Sequence, residues 1–167
     1  MDVRRITKDG LLLAMLCLMG MFSLPMGENI KVSLQLLMVF IICLISKSVF
    51  DCLIITSLYL ALGLFLPFYA GFASGISATF GYVISFVVIS PIIYFINKIK
   101  INSFVRMFLA CFAGLLVCYT IGTIFMMIYL SWNLPTTLMV SVVPYIPFDI
   151  AKIIIAVMVV KLLPENI

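Results

Sequence analysis

From Met107 to Phe148 the chain reads MFLACFAGLLVCYTIGTIFMMIYLSWNLPTTLMVSVVPYIPF, without one Asp, Glu, Lys or Arg. A bilayer crossing needs about 20 predominantly apolar residues, so this stretch holds two. Its only strong interruption is Ser131-Trp132-Asn133-Leu134-Pro135, which suits a turn between two helices. A second uncharged stretch, Cys52 to Asn97, is broken in the same way by Pro67 and the Gly-rich run Ala70-Gly71-Phe72-Ala73-Ser74-Gly75. The rest of the chain follows the same rule. Of 167 residues 66% are hydrophobic and 10% charged, too few charges to coat a soluble domain of this size. Apolar segments recur from end to end, so they are expected to be bilayer spans and not a cleaved signal peptide.

The expectation is an all-α integral membrane protein, a compact bundle of about six transmembrane helices, with five as the alternative count. The spans are placed at about Gly10–Leu24, Val32–Ile45, Val49–Leu66, Ser77–Ile96, Phe104–Leu130, and from Leu138 or Pro147 to Leu163. The first two are short for a full crossing. With the N-terminus inside, Arg4, Arg5, Lys8, Lys47, Lys98, Lys100, Arg106 and Lys161 fall on the inner side and only Lys31 on the outer. Inner loops carry the Lys/Arg excess, so both termini are expected inside. The loops at Met26–Lys31, after Pro67 and at Trp132–Pro135 then face outward.

The net charge of +4 comes without a basic stripe interleaved with aromatics, so nucleic acid is not an expected partner. There is no histidine, which removes the commonest general base and zinc ligand. Cys17, Cys43, Cys52, Cys111 and Cys118 lie in apolar runs without metal-ligand spacing and read as small buried residues. No Walker motif or dinucleotide loop is present, so no cofactor, metal or catalytic residue is assigned.

Asp149 and Lys152 are the strongest polar signal. Three residues apart, they share a helix face. A charge at mid-bilayer costs about 2.5–3.5 kcal/mol, so the two must pair or meet a ligand. One reading is a neutralising pair that fixes helix packing; the other is a polar pocket near the outer side. Gln35, buried in the second span, is either interhelical glue or a ligand contact. The aromatic and Gly-rich loop from Leu66 to Gly75 is either a connection or a flexible lid. Gly10 and Ala14 form a small-xxx-small pair on which another helix can pack closely.

These pieces together resemble the substrate-binding S components of energy-coupling factor (ECF) vitamin transporters, and among them the BioY biotin family. Leu66-Pro67-Phe68-Tyr69-Ala70-Gly71 is similar to that family's Leu-Pro-x-aromatic-Ala-Gly loop. Thr79-Phe80-Gly81-Tyr82 resembles its Thr-Gly-Gly-Tyr, with Phe80 in place of a Gly. Pro144-Tyr145-Ile146-Pro147-Phe148-Asp149-Ile150-Ala151-Lys152 resembles its Pro-x-x-Pro-x-Asp-x-x-Lys signature, and Ser33-Leu34-Gln35 its Thr-Leu-Gln. The loop between Gly71 and Thr79 is shorter than the family's.

The resemblance implies one membrane-embedded unit over residues 1–167, a multi-pass protein of the cell membrane and not an enzyme. It implies capture of a vitamin from outside, biotin first, with lipoate or another small vitamin as alternatives. The implied ligand-binding residues are Asp149, Lys152, Gln35, Tyr69, Gly71, Thr79 and Tyr82. Gly10 and Ala14 would dock on a membrane T subunit, and two cytoplasmic ATPases would drive release. An ion-coupled secondary transporter with Asp149 as its proton carrier is the rival from another class, although no internal repeat supports it. An intramembrane enzyme is a third reading, without a Ser/His pair or a second intramembrane Asp to serve it.

Overall fold

The computed structural model describes residues 3–25 and 31–163. The chain forms α1 (Val3–Met21), β1 (Ser23–Pro25), β2 (Lys31–Ser33), α2 (Gln35–Ile45), α3 (Val49–Phe65), α4 (Phe80–Ile96), α5 (Ser103–Leu130), α6 (Leu134–Ser141), a 3-10 turn (Val143–Tyr145) and α7 (Ile146–Leu162). Counting α6, the turn and α7 as one broken rod, the described residues form a bundle of six helical rods.

Among the described residues two rods are long and apolar enough to cross a membrane by length and composition, Ser103–Leu130 and Leu134–Leu162. Helices α2, α3 and α4 are apolar but shorter. At 11 residues α2 is only about 16 Å long, far less than the roughly 30 Å of a hydrocarbon core. It does not face lipid alone: α1, α4 and α7 all pack on it, and eight of its residues, Gln35 to Leu44, are buried.

Several boundaries differ from the sequence expectation, each for a nonlocal reason. α1 begins at Val3 and not Gly10, because Arg5 reaches across to α3, where its Nε lies 2.8 Å from Asp51 Oδ1. It ends at Met21 and not Leu24: Ser23–Pro25 instead pairs antiparallel with Lys31–Ser33, a strand ladder that satisfies the backbone groups a further helical turn would have served. The second helix therefore opens at Gln35, not Val32. The outer loop expected at Met26–Lys31 lies, for 26–30, outside the described residues. α4 opens at Phe80, three residues later than expected.

The expected break at Ser131–Pro135 is tighter than that. Ser131 closes α5 in the left-handed conformation, φ 54°, and Asn133 caps α6 by accepting from Thr136 N at 3.1 Å. Pro135 then sits in the first turn of α6, where its missing N–H costs nothing.

The longest helix–helix seam joins α4 and α5. Glycine makes it possible. A Cβ on Gly81 would lie 2.2 Å from Phe125, and one on Gly114 would lie 2.7 Å from Ile93. Rings and branched side chains of one helix thus rest on bare backbone of the other.

The two ends of the bundle differ in kind. One gathers the β ribbon, the Leu66–Thr79 loop and α6. The other gathers Arg4, Arg5, Lys8, Lys47, Lys98, Lys100, Arg106 and Lys161. This charged end is laced together. Asn97 Nδ2 donates to Leu44 O at 3.2 Å, Arg106 Nε to Asn97 Oδ1 at 3.1 Å, and Tyr94 Oη to Lys47 O at 3.0 Å.

Candidate ligand-binding site

The signature Pro144 to Lys152 builds the centre of the site by breaking a helix. Pro144 and Pro147 have no N–H to continue an α-helical ladder. The backbone leaves α6 at Val142 (φ −123°, ψ −58°), makes the 3-10 turn and restarts as α7. Asp149 falls in the first turn of α7 and Lys152 one turn further, both buried on the inward face.

Lys152 Nζ donates to Asp149 Oδ1 at 2.7 Å, and from α5 Tyr119 Oη donates to Asp149 Oδ2 at 2.6 Å. The two charges cancel, and each oxygen of the carboxylate has one short donor. An ionised carboxylate can accept about four hydrogen bonds and an ammonium can donate three. The pair therefore keeps capacity on both sides, acceptor beside donor.

That capacity faces a cavity of about 220 Å³ between α2, α4, α5 and the broken rod. A water's share of volume is about 30 Å³, so the space suits a small organic molecule. Leu36, Val83, Phe86 and Met126 supply apolar wall. Among the described residues of the lining, Asp149 and Lys152 are the only charged ones.

The other sequence-derived residues fall as follows. Gln35, Tyr69, Thr79 and Tyr82 line the same cavity as Asp149 and Lys152. Gln35 Nε2 donates to Tyr59 Oη at 2.6 Å, and Tyr59 Oη donates on to Phe68 O at 2.8 Å, which ties α2 to α3 and the loop. Tyr69 Oη donates to Leu60 O at 2.6 Å, and its ring covers Gly63, where a Cβ would lie 2.0 Å from Tyr69 Cε1. Tyr82 Oη donates to Ser141 Oγ at 2.9 Å, joining α4 to α6.

Gly71 does not line the cavity. It is exposed in the loop with φ 72°, next to Phe72 at φ 62°, and shapes the turn that the Tyr69–Ala73 bridge closes. Gly10 and Ala14 lie far along α1 on its exposed face, and a Cβ on Gly10 would meet nothing within 4 Å.

Tyr119, Ser141, Tyr145 and Ser33 also line the cavity. Sequence reasoning named none of them as a site residue, although Ser33 and Tyr145 stand in motifs it quoted. Tyr119 carried one signal, a phenol inside a long apolar helix, which must find a partner for its hydroxyl.

Comparisons with known proteins bear on this geometry. A family model described as the BioY family matches residues 1–167. The biotin transporter BioY of Thermotoga maritima is 24% identical over 161 residues, covering 94% of each chain. The crystal structure of the S-component for biotin from an ECF-type ABC transporter superposes with a TM-score of 0.83 at 22% identity, covering 95% of this chain and 89% of that one.

Proposed function

This chain belongs to the BioY family, and on that premise we propose that it captures biotin as the substrate-binding S component of an ECF-type importer. It is a membrane protein. The observation that carries the ligand is the pair Asp149–Lys152, buried against the cavity with acceptor and donor capacity side by side. A cyclic urea is the complement of that arrangement: a ring N–H to Asp149, and the neighbouring carbonyl to Lys152. The apolar walls around the pair suit the rest of a small, largely hydrocarbon ligand.

The proposed subsite consists of Asp149, Lys152, Gln35, Tyr69, Thr79 and Tyr82, with Gly71 setting the loop above them. The pocket end is placed outward, because the eight cations gather at the other end, and residues 1–167 act as one unit. A T subunit in the membrane and two cytoplasmic ATPases are the proposed partners, and Gly10 and Ala14 the place where α1 meets the T subunit. No reaction is assigned to the chain itself; ATP hydrolysis by the partners supplies the energy.

The test is biotin affinity of the purified protein, by calorimetry, for wild type, Asp149→Asn and Lys152→Met. Removing either partner leaves the other buried without its counter-charge, a cost of about 3–5 kcal/mol shared between folding and the ligand contact. The expected loss is more than a hundredfold in Kd, with each variant inserted and monodisperse. Equal affinities in all three would remove the pair from the site. Wild type that ignores biotin but binds lipoate, with the same dependence on both residues, would keep the site and change the vitamin.

A further inference from the structure

Asp149 is held from two sides, and only one of them belongs to its own helix. Lys152 sits one turn along α7, and its ammonium meets Oδ1 at 2.7 Å. Tyr119 comes from α5, thirty residues away in sequence, and its hydroxyl meets Oδ2 at 2.6 Å. A hydroxyl donating to a carboxylate at this distance is a short, charge-assisted bond. Tyr119 and Asp149 both line the cavity, so the bond is made at its wall.

Taking the pocket as a biotin site, we propose that Tyr119 is a positioning residue that sets which oxygen of Asp149 the ligand meets, and so sharpens selection for a ligand N–H. The torsion that turns a carboxylate is broad and soft, so a carboxylate tied at one oxygen only can swing. Tied at Oδ2 by Tyr119 as well, Asp149 presents Oδ1 at a fixed place beside the Lys152 ammonium. A ligand then meets one acceptor and one donor at fixed spacing. A planar N–H next to a C=O satisfies both. A ligand whose nitrogen carries a methyl group sets that methyl against Oδ1, and the carboxylate cannot turn away without giving up Tyr119.

Tyr119 thus acts through Asp149, and this separates it from a residue that merely packs. Removal of its hydroxyl relaxes the carboxylate. Biotin then binds more weakly, and the penalty on an N-methylated ligand shrinks.

The experiment uses the full-length protein in detergent and measures Kd for biotin and for biotin methylated on either ureido nitrogen. The proteins are wild type, Tyr119→Phe, Asp149→Asn and the double variant. Phe keeps the ring and its packing, so folding is preserved. A hydrogen bond to a charged group converts to a change of roughly tenfold to hundredfold. Tyr119→Phe is expected to lose that much affinity for biotin and less for the methylated ligands, so that the ratio between them narrows. In the Asp149→Asn background, Tyr119→Phe is expected to change biotin affinity little, the signature of two residues acting as one. An equal loss for both kinds of ligand, an equal loss in both backgrounds, or no loss at all overturns the proposal. Where Asp149→Asn binds too weakly to titrate, the ratio alone decides. Wild type that fails to bind biotin is a different failure, that of the biotin reading, and the proposal falls with it.

Discussion

Gly122 has no room for a methyl group. A Cβ there would lie 2.2 Å from Tyr82 Cε1, because the Tyr82 ring rests directly on the α5 backbone. Gly122→Ala must move that ring, and with it the 2.9 Å bond from Tyr82 to Ser141. Overpacking of this kind costs about 1–3 kcal/mol. The expected outcome is a lower melting temperature and weaker biotin binding for Gly122→Ala. Shrinking the ring in Gly122→Ala/Tyr82→Leu should recover the melting temperature but not the binding, since the hydroxyl is gone. A single variant as stable as wild type would show that the ring finds another place. The lining residue Tyr82 was legible in the sequence through its motif. Its glycine seat was not, because a glycine declares its purpose only through the atom opposite it, here one forty residues away. Tyr119 escaped for the same reason: nothing near it in the sequence names Asp149 as its partner. Asp149 and Lys152 were legible because their cost is local, two charges in an apolar run.

Helix α1 leaves one face open. Leu12, Leu16, Cys17 and Gly20 are buried, while Gly10, Leu11, Ala14, Met15 and Leu18 form an exposed face. The inner face is fixed by long-range contacts, Arg5 to Asp51 and the close approach of Gly20 to Tyr59 Oη. Those contacts explain why α1 starts before the charged N-terminal residues end, a boundary that hydropathy alone misplaces. The same is true of α2, which burial inside the bundle lets be shorter than any span. Pro67, the Gly-rich loop and Asn133 were readable as breaks because proline and capping chemistry act within a few residues. The exposed face of α1 carries a prediction. Gly10→Leu or Ala14→Leu adds bulk where a neighbouring helix would need close approach, yet touches nothing within this chain at Gly10. Biotin affinity should stay at the wild-type value while uptake in cells and co-purification of the T subunit fall. Unchanged uptake with an intact complex would move the docking face elsewhere.

For the molecule as a whole, the decisive asymmetry is between its two ends. Eight of the ten Lys and Arg residues lie at the end away from the pocket, and a ninth, Lys152, is committed to Asp149. Attraction of a basic residue to an anionic inner leaflet is worth about 1 kcal/mol near the surface, so the difference between the two orientations amounts to several kcal/mol. Insertion follows the same bias, with Lys and Arg retained on the cytoplasmic side. On the proposed orientation the pocket, the β ribbon and the Leu66–Thr79 loop face outward and the charged end of the bundle faces the cytoplasm. Single cysteines placed in a cysteine-free background test this with a membrane-impermeant thiol reagent. The five native cysteines are buried and unpaired with one another by disulfides, so their replacement is a packing change in the core. Each replacement protein must therefore first be shown to bind biotin. A cysteine at Ser74, exposed in the pocket-end loop, should react in intact cells. A cysteine at Lys100, exposed at the charged end, should react only after the membrane is opened. The reverse pattern would place the pocket on the cytoplasmic side, and capture from outside would have to be abandoned along with the orientation.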